Sequence, residues 1–182
     1  MTFTKIYRTP NGFDDMVMTS DGEVLTGLRF INKQDQSKHS IDREKERDLP
    51  AFRSTKEWLD IYFSGRQPDF TPAYRIDRLT PFRKEVSDIM QLISFGHTMT
   101  YGGIAALIAQ KHGLKRMSAQ AVGGAVGWNP LCIIIPCHRV IGADKSLTGY
   151  GGGIKNKIAL LKLEGIVDFK MTSRLGASNV FK

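Results

Sequence analysis

The chain has 182 residues, of which 41% are hydrophobic and 24% charged, as is usual for one or two compact globular domains. No stretch approaches the roughly 20 apolar residues that cross a bilayer, and we expect no export signal, which argues against membrane and secreted classes. The net charge of +8 is consistent with a polyanionic partner such as nucleic acid. A generic basic protein without such a partner stays open as the alternative. Two cysteines, Cys132 and Cys137, are too few for a disulfide scaffold and predict reduced thiols.

The first half of the chain predicts strands and one helix. Residues 14–30 contain two apolar runs joined at Ser20-Asp21-Gly22, and Asp-Gly between such runs indicates a hairpin. Residues 32–48 hold almost nothing that could be buried, which predicts a polar loop or insertion. Residues 50–64 place large apolar side chains on one helical face, and Gly65 follows as a stop signal.

The second half predicts mainly helices. After a proline-containing linker at 66–79, Thr80-Pro81 opens a first helix, because Thr caps helices well and Pro suits the first turn. A second helix over 102–112 and a third beginning at Ser118 have the spacing of a helix-turn-helix, which any small helical hairpin also has. Gly123-Gly124 inside the third helix indicates close approach of another backbone or of DNA.

The remaining elements predict a buried strand and a last helix. The run LCIIIP at 131–136 is β-branched and apolar, which predicts a buried strand that ends at Cys137. Residues 153–165 predict an amphipathic helix with Ile154, Ile158 and Leu161 facing inward, and residues 169–182 have no clear pattern.

The segment that best suits covalent chemistry is Pro136-Cys137-His138-Arg139-Val140. Cysteine reacts as a thiolate, a neighbouring His can take its proton, and a carboxylate such as Glu164 can support that His. Neighbouring side chains on a strand point to opposite faces, so His138 would reach the thiol only through a turn or a bridging water. From residue types alone, a buried structural cysteine stays open as an alternative.

Two other ligand sites are less well supported by the spacing. Cys132, Cys137 and His138 lack the paired spacing of zinc ligands. The glycine-rich segment 148–153 matches neither common phosphate-binding motif, and it predicts a flexible loop that exposes backbone N–H groups to a polar ligand.

Five segments in order between Tyr101 and Gly165, namely TYGGIA, AVGGAVGWNP, IIIPCHRVIG, LTGYGGGI and KIALLKLEG, closely resemble the O6-alkylguanine-DNA alkyltransferase family. The resemblance implies an α+β fold. A small N-terminal domain over 1–79 would hold an antiparallel, ribonuclease H-like sheet and a helix. A mainly helical DNA-binding domain with a helix-turn-helix would cover 80–168, and a tail 169–182.

The family resemblance also implies the activity. Such a protein flips a damaged guanine out of double-stranded DNA and transfers the O6-alkyl group irreversibly to its own cysteine, here Cys137. O4-alkylthymine stays open as a second lesion. We expect a cytoplasmic monomer that uses no cofactor and, since the N-terminal half has His39 but no Cys, no metal.

The resemblance assigns roles to individual residues. Cys137 would be the nucleophile, His138 its base through a water, Glu164 the supporting carboxylate, Asn129 a brace for the active-site strand and Tyr101 a proton donor to the purine. The residues expected to form the pocket for the flipped base are Tyr101, Val126, Trp128, Val140, Tyr150 and Gly151. The residues expected to contact DNA are Arg116, Ser118, Ala119, Gln120, Gly124 and Arg139.

One position departs from the family pattern. Many members carry an arginine that enters the base stack, and Gln120 stands there, so we expect a weaker hold on DNA at that point. Three competing functions are a non-catalytic damage sensor, a cysteine hydrolase with a Cys-His-Glu triad, and a pure helix-turn-helix DNA binder.

Overall fold

A three-stranded antiparallel sheet begins the fold. The structure, a computed structural model, describes residues 1–31 and 47–171, so nearly all of the polar loop predicted at 32–48 lies outside the described residues. The strands β1 (Phe3–Tyr7), β2 (Met16–Ser20) and β3 (Leu25–Phe30) pair in chain order. The predicted hairpin is therefore confirmed, and alternate residues of β2 are buried, as in a sheet with one covered face.

Helix α1 (Pro50–Phe63) covers that sheet. Its buried face includes Trp58, Leu59 and Tyr62, and the helix contacts β2 and β3. Burial of each such side chain contributes roughly 1.5–3 kcal/mol, so this face fixes the helix on the sheet. Gly65 follows with φ of 82°, a conformation that suits glycine, and the predicted helix and its stop are confirmed.

Three helices follow: α2 (Pro81–Gln91), α3 (Tyr101–Lys111) and α4 (Ala119–Gly127). Thr80 and Ser118 cap α2 and α4 with their side-chain oxygens, as predicted. Helix α4 packs against both α2 and α3. Residues 112–118 join α3 to α4, and the assignment of this pair as a DNA-binding helix-turn-helix stays a prediction.

The predicted buried strand at 131–136 is wrong. The segment is a turn in which Ile133 has φ of 71°, with single bridges from Leu131 to Leu28 and from Cys132 to Ile135. Cys137–Arg139 then forms one turn of 3₁₀ helix. The apolar run is buried in the main hydrophobic core, and burial alone does not distinguish a strand from a tight turn.

Short strands and helix α5 complete the fold. The strands β4 (Met99–Thr100) and β5 (Val140–Ile141) pair in parallel, as do β6 (Ser146–Leu147) and β7 (Lys170–Met171). Strand β7 lies where the sequence predicted no pattern, and 172–182 lies outside the described residues.

Helix α5 (Ile154–Leu163) turns a partly polar face inward. Its buried residues are Asn156, Lys157, Leu160 and Leu161. The prediction for Leu161 is confirmed. Ile154 and Ile158 are only partly buried and pack on a small second cluster that contains Leu161.

The main hydrophobic core is continuous from the sheet to the C-terminal helices. The domain boundary near residue 80 stays a prediction. Within residues 1–31 and 47–171, no helix has the length and apolar character needed to span a membrane.

Candidate active site

Cys137 opens the 3₁₀ turn and is 4% exposed. The Asn129 side-chain amide donates to Cys137 Sγ at 3.0 Å, to the Ile135 carbonyl at 2.8 Å and to the Leu131 carbonyl at 3.3 Å. Asn129 therefore braces the turn, as predicted, but it also contacts the sulfur directly, which the sequence did not indicate.

The surroundings of Cys137 favour its thiolate. The hydrogen bond from the Cys132 thiol, which outweighs burial, lowers the pKa of Cys137 to about 7, and the hydrogen bond from Asn129 acts in the same direction. The same contact with Cys137, together with burial, raises the pKa of Cys132, which stays a protonated donor. Because the thiolate is the nucleophilic form, a pKa near 7 makes Cys137 suited to nucleophilic chemistry at neutral pH.

His138 and Glu164 form a buried pair. His138 Nε2 lies 2.7 Å from Glu164 Oε1, and both side chains are fully buried. Burial opposes ionisation of Glu164, but hydrogen bonds from His138 and Arg139 lower its pKa to about 2, so the carboxylate can only accept. Nε2 must therefore carry the hydrogen, which leaves Nδ1 with the lone pair. Nδ1 has no hydrogen-bond partner among the described residues.

The pKa of His138 also suits a base. Burial lowers it, against the opposing effect of the hydrogen bond with Glu164. The imidazole is then neutral at physiological pH, and Nδ1 can accept a proton.

The prediction that Arg139 contacts DNA is wrong for its side chain. Arg139 is 6% exposed, and its guanidinium binds both carboxylate oxygens of Glu164, with Nε 2.9 Å from Oε2 and Nη2 3.0 Å from Oε1. Nη1 donates to the Ile93 carbonyl at 2.6 Å. The guanidinium is directed inward because the buried carboxylate needs a countercharge.

Two further groups complete the surroundings of Glu164. The Tyr62 hydroxyl donates to Oε1 at 2.6 Å, and the Gly96 backbone N–H donates to Oε2 at 3.1 Å. Sequence reasoning missed Tyr62, because its 102-residue separation from Glu164 has no local signal.

Sequence reasoning also missed Lys157, a buried lysine of α5. Lys157 Nζ donates to the Val140 carbonyl at 2.7 Å, and burial lowers the pKa of Lys157 to about 8. Its positive charge also favours the Cys137 thiolate. A signal was available, because Lys157 lies three residues before Leu160 and seven before Glu164, on the buried side of the helix.

A cavity lies beside Cys137. Its lining residues are Tyr101, Gly123, Val126, Gly127, Cys132, Cys137, Gly149, Tyr150 and Gly151. Four of the residues predicted to bind the flipped base therefore share a cavity with the sulfur: Tyr101, Val126, Tyr150 and Gly151. The Tyr101 hydroxyl accepts from Thr148 Oγ1 at 3.1 Å, so its own proton is available to a ligand.

Two predicted pocket residues do not line this cavity. Val140 is fully buried, and its carbonyl already binds Lys157. The Trp128 ring lies 4.3 Å below the guanidinium carbon of Arg83, outside the cavity wall. Trp128 thus stabilises the junction between α2 and the end of α4 through a cation–π contact.

The outer face of α4 and the residues just before the helix are exposed, and the side chains on the helix face are mostly small. The residues predicted to contact DNA that lie on this exposed surface are Arg116, Ser118, Ala119, Gln120 and Gly124. A Cβ on Gly124 would meet nothing within 4 Å, whereas one on Gly123 would lie 3.8 Å from the Tyr101 ring. Gly123 therefore faces the cavity, and Gly124 faces open space that another molecule can approach.

Comparisons with known proteins agree with this architecture. A family model described as the 6-O-methylguanine DNA methyltransferase DNA-binding domain matches residues 81–166, and one for the ribonuclease-like domain of the same proteins matches 6–74. The methylated-DNA–protein-cysteine methyltransferase of Haemophilus influenzae is 35% identical over 90% of this chain and 88% of its own.

Solved structures give the same result. The crystal structure of Mycobacterium tuberculosis O6-methylguanine methyltransferase is similar with a TM-score of 0.72 and 37% identity, over 90% of this chain and 93% of its own. The M. tuberculosis protein crystallised in complex with DNA has a TM-score of 0.70 and 36% identity, over 89% and 92%. The chain belongs to the 6-O-methylguanine DNA methyltransferase family.

Proposed function

We propose that this protein repairs DNA by transferring an alkyl group from O6 of guanine to its own Cys137, once per molecule. The observation that carries the proposal is the state of the sulfur. Cys137 Sγ accepts a hydrogen bond from Asn129, its pKa is about 7, and Cys137 lines a cavity together with Tyr101 and Tyr150. A buried structural cysteine needs none of these features.

The transfer is a single displacement. The Cys137 thiolate attacks the alkyl carbon, an S–C bond forms, and the bond from that carbon to O6 breaks with its electron pair on the guanine. His138 Nδ1 takes the thiol proton through a bridging water, and Glu164 stabilises the resulting imidazolium. The product is a thioether, which has no good leaving group, so the protein is not regenerated.

Two donors stabilise the departing guanine anion. The Tyr101 hydroxyl, which accepts from Thr148, supplies its proton to a ring nitrogen of the purine. The Gly151 backbone N–H, at the cavity wall, serves the departing oxygen. Donors placed where negative charge develops lower the barrier to such a reaction.

The partner is double-stranded DNA that contains O6-alkylguanine, bound by the exposed face of α4. A base inside a duplex must leave the stack to reach the cavity, and Gln120 on this face fills the space that it leaves. The net charge of +8 favours a polyanion, and the relative solved in complex with DNA has the same fold. A cytoplasmic monomer that uses neither cofactor nor metal fits this reaction.

The test is intact mass spectrometry after mixing the protein with a duplex that carries one O6-methylguanine. We expect a gain of one methylene per molecule, mapped to Cys137, and a repaired strand. Cys137→Ser should lose transfer and keep DNA binding, whereas Cys132→Ser should still be methylated at Cys137.

Each competing function gives a different outcome. A hydrolase would leave a repaired strand beside unmodified protein with repeated turnover. A damage sensor or a simple DNA binder would leave the lesion intact. Either result would refute the proposal.

A further inference from the structure

We infer that Tyr62, a residue of α1 on the N-terminal sheet, is a positioning residue for the active site, because its hydroxyl holds Glu164 and thereby fixes which nitrogen of His138 is the base. The inference rests on the proposed function and extends it to a residue outside the C-terminal half. Tyr62 does not line the cavity, and its hydroxyl contacts Glu164 and His138, so its effect on the reaction passes through these two residues.

The hydroxyl of Tyr62 has one proton and two neighbours. Its oxygen lies 2.6 Å from Glu164 Oε1 and 3.3 Å from His138 Nε2. The shorter contact and the negative charge of the carboxylate direct the proton to Glu164. The Tyr62 oxygen keeps a lone pair that faces His138 Nε2. The Nε2–H group can therefore donate both to Glu164 and to the Tyr62 oxygen.

This arrangement favours one tautomer of His138. A lone pair on Nε2 would face a carboxylate oxygen at 2.7 Å and, with the Tyr62 proton already directed to Glu164, would have no good donor. The hydrogen is therefore held on Nε2, and Nδ1 keeps the lone pair that the transfer requires.

The side chain of Tyr62 is itself held rigidly. It is fully buried, and its ring stacks on Trp58 with centroids 5.5 Å apart and planes 5° apart. Edge contacts with Phe63 and Phe95 fix the ring from other sides. Burial and the charge of Glu164 raise the pKa of Tyr62 well above its usual value, so the phenol stays a donor throughout the physiological range.

The charges around His138 set the expected pH effect. Glu164 and Tyr62 face Nε2, while the positive charges of Arg139 and Lys157 act from the 3₁₀ turn and from α5. Removal of the Tyr62 proton donor leaves more negative charge on Glu164, which raises the pKa of His138. The neutral base then forms only at higher pH, so the acid limb that His138 contributes, which lies below the Cys137 midpoint in the wild type, moves to higher pH.

The test compares Tyr62→Phe with Tyr7→Phe. Tyr7 is a matched control, because it is also a buried tyrosine of the N-terminal half, and its hydroxyl donates to the Asp60 carboxylate at 2.9 Å. Methyl transfer from a duplex with O6-methylguanine is measured in a single turnover from pH 5.5 to 9, with thermal melting of each variant.

We expect Tyr62→Phe to transfer about tenfold more slowly near neutral pH, the order expected from losing one hydrogen bond to a charged group, with its acid limb displaced to higher pH. Tyr7→Phe should follow the wild-type profile. A Tyr62→Phe profile that overlays the wild type, or an equal displacement in Tyr7→Phe, would overturn the inference.

Two readouts keep the result independent of other failures. Imidazole ¹⁵N NMR against pH follows the protonation of His138 without DNA in the wild type and in Tyr62→Phe, so a protein that repairs no lesion still tests Tyr62. Imidazole ¹⁵N NMR of the wild-type protein reports the His138 tautomer without any variant, and a proton found on Nδ1 would also overturn the inference.

Discussion

The network around Glu164 and the outer face of α4 differ in burial and in charge. The first is fully buried and charged, with Tyr62, His138 and Arg139 arranged around one carboxylate. The second is exposed and consists mainly of small uncharged residues around Gln120 and Gly124. On the proposed function, the contrast teaches that the protein holds its chemistry ready before substrate arrives, whereas recognition of the duplex depends on an exposed surface that DNA would cover.

The contrast predicts that substitutions in the buried network have much larger effects than substitutions on the α4 face. A face variant that abolished transfer while leaving the fold intact, or a network variant without effect, would remove the distinction.

Glu164→Gln should have the largest effect. The change keeps the shape but leaves Arg139 without its countercharge, and breaking a buried ion pair costs about 3–5 kcal/mol in the free energy of unfolding. His138 also loses the charge that stabilises its imidazolium, and we expect transfer to slow by about 10²–10⁴, the usual contribution of a general base. Denaturant unfolding and single-turnover repair measure the two effects. The exposed pair Lys84–Asp88 supplies a control, since Asp88→Asn should change the unfolding free energy far less.

Cys132→Ala should have an intermediate effect, which we expect in the pH dependence of the transfer rate. The wild-type rate should rise as pH increases through about 7, because the Cys137 thiolate forms there. Loss of the Cys132 hydrogen bond raises the pKa of Cys137, so the midpoint of the rate profile moves to higher pH. Below that midpoint, the thiolate fraction and with it the rate fall about tenfold for every pH unit by which the midpoint rises.

Cys132→Ser is the matched variant for this prediction, since its hydroxyl can still donate to the sulfur. The midpoint should return toward the wild-type value. A serine variant that behaves like the alanine variant would show that the volume of Cys132 matters and not its hydrogen bond. Both midpoints can be measured by iodoacetamide trapping of Cys137.

Gln120→Arg should have the smallest effect on the stability of the protein. The residue is exposed at the start of α4, so the unfolding free energy should change by less than about 0.5 kcal/mol. DNA binding should tighten, and the slope of log affinity against log salt should steepen by about 0.9 if the guanidinium neutralises one phosphate. Gln67→Arg adds the same charge in the exposed loop after α1, and an equal steepening there would show a general charge effect instead of a local contact.

Much of the fold could be predicted from local sequence. The hairpin around Asp21-Gly22, helix α1 and the caps Thr80 and Ser118 all follow from short-range rules of turn and helix chemistry, and the structure confirms them. Cys137, the proposed nucleophile, and its neighbours could also be named, because PCHRV and its flanking motifs are specific to one family.

The failures have a common physical cause. The sequence predicts a strand at 131–136 because its residues are apolar, whereas the turn depends on contacts that have no local signal, including the Asn129 amide and the bridge to β3. Arg139 was predicted as a surface cation because its carboxylate partner lies 25 residues later in the sequence.

The sequence by itself predicts Cys137 as the nucleophile and determines what kind of partner the protein has, because these depend on residue type and motif order. Only the tertiary structure decided which groups tune that nucleophile. Tyr62 comes from the first half of the chain, Cys132 is brought to Cys137 by the turn, and Lys157 reaches Val140 from α5. Electrostatic effects depend on distance and burial, and neither is fixed until the chain has folded.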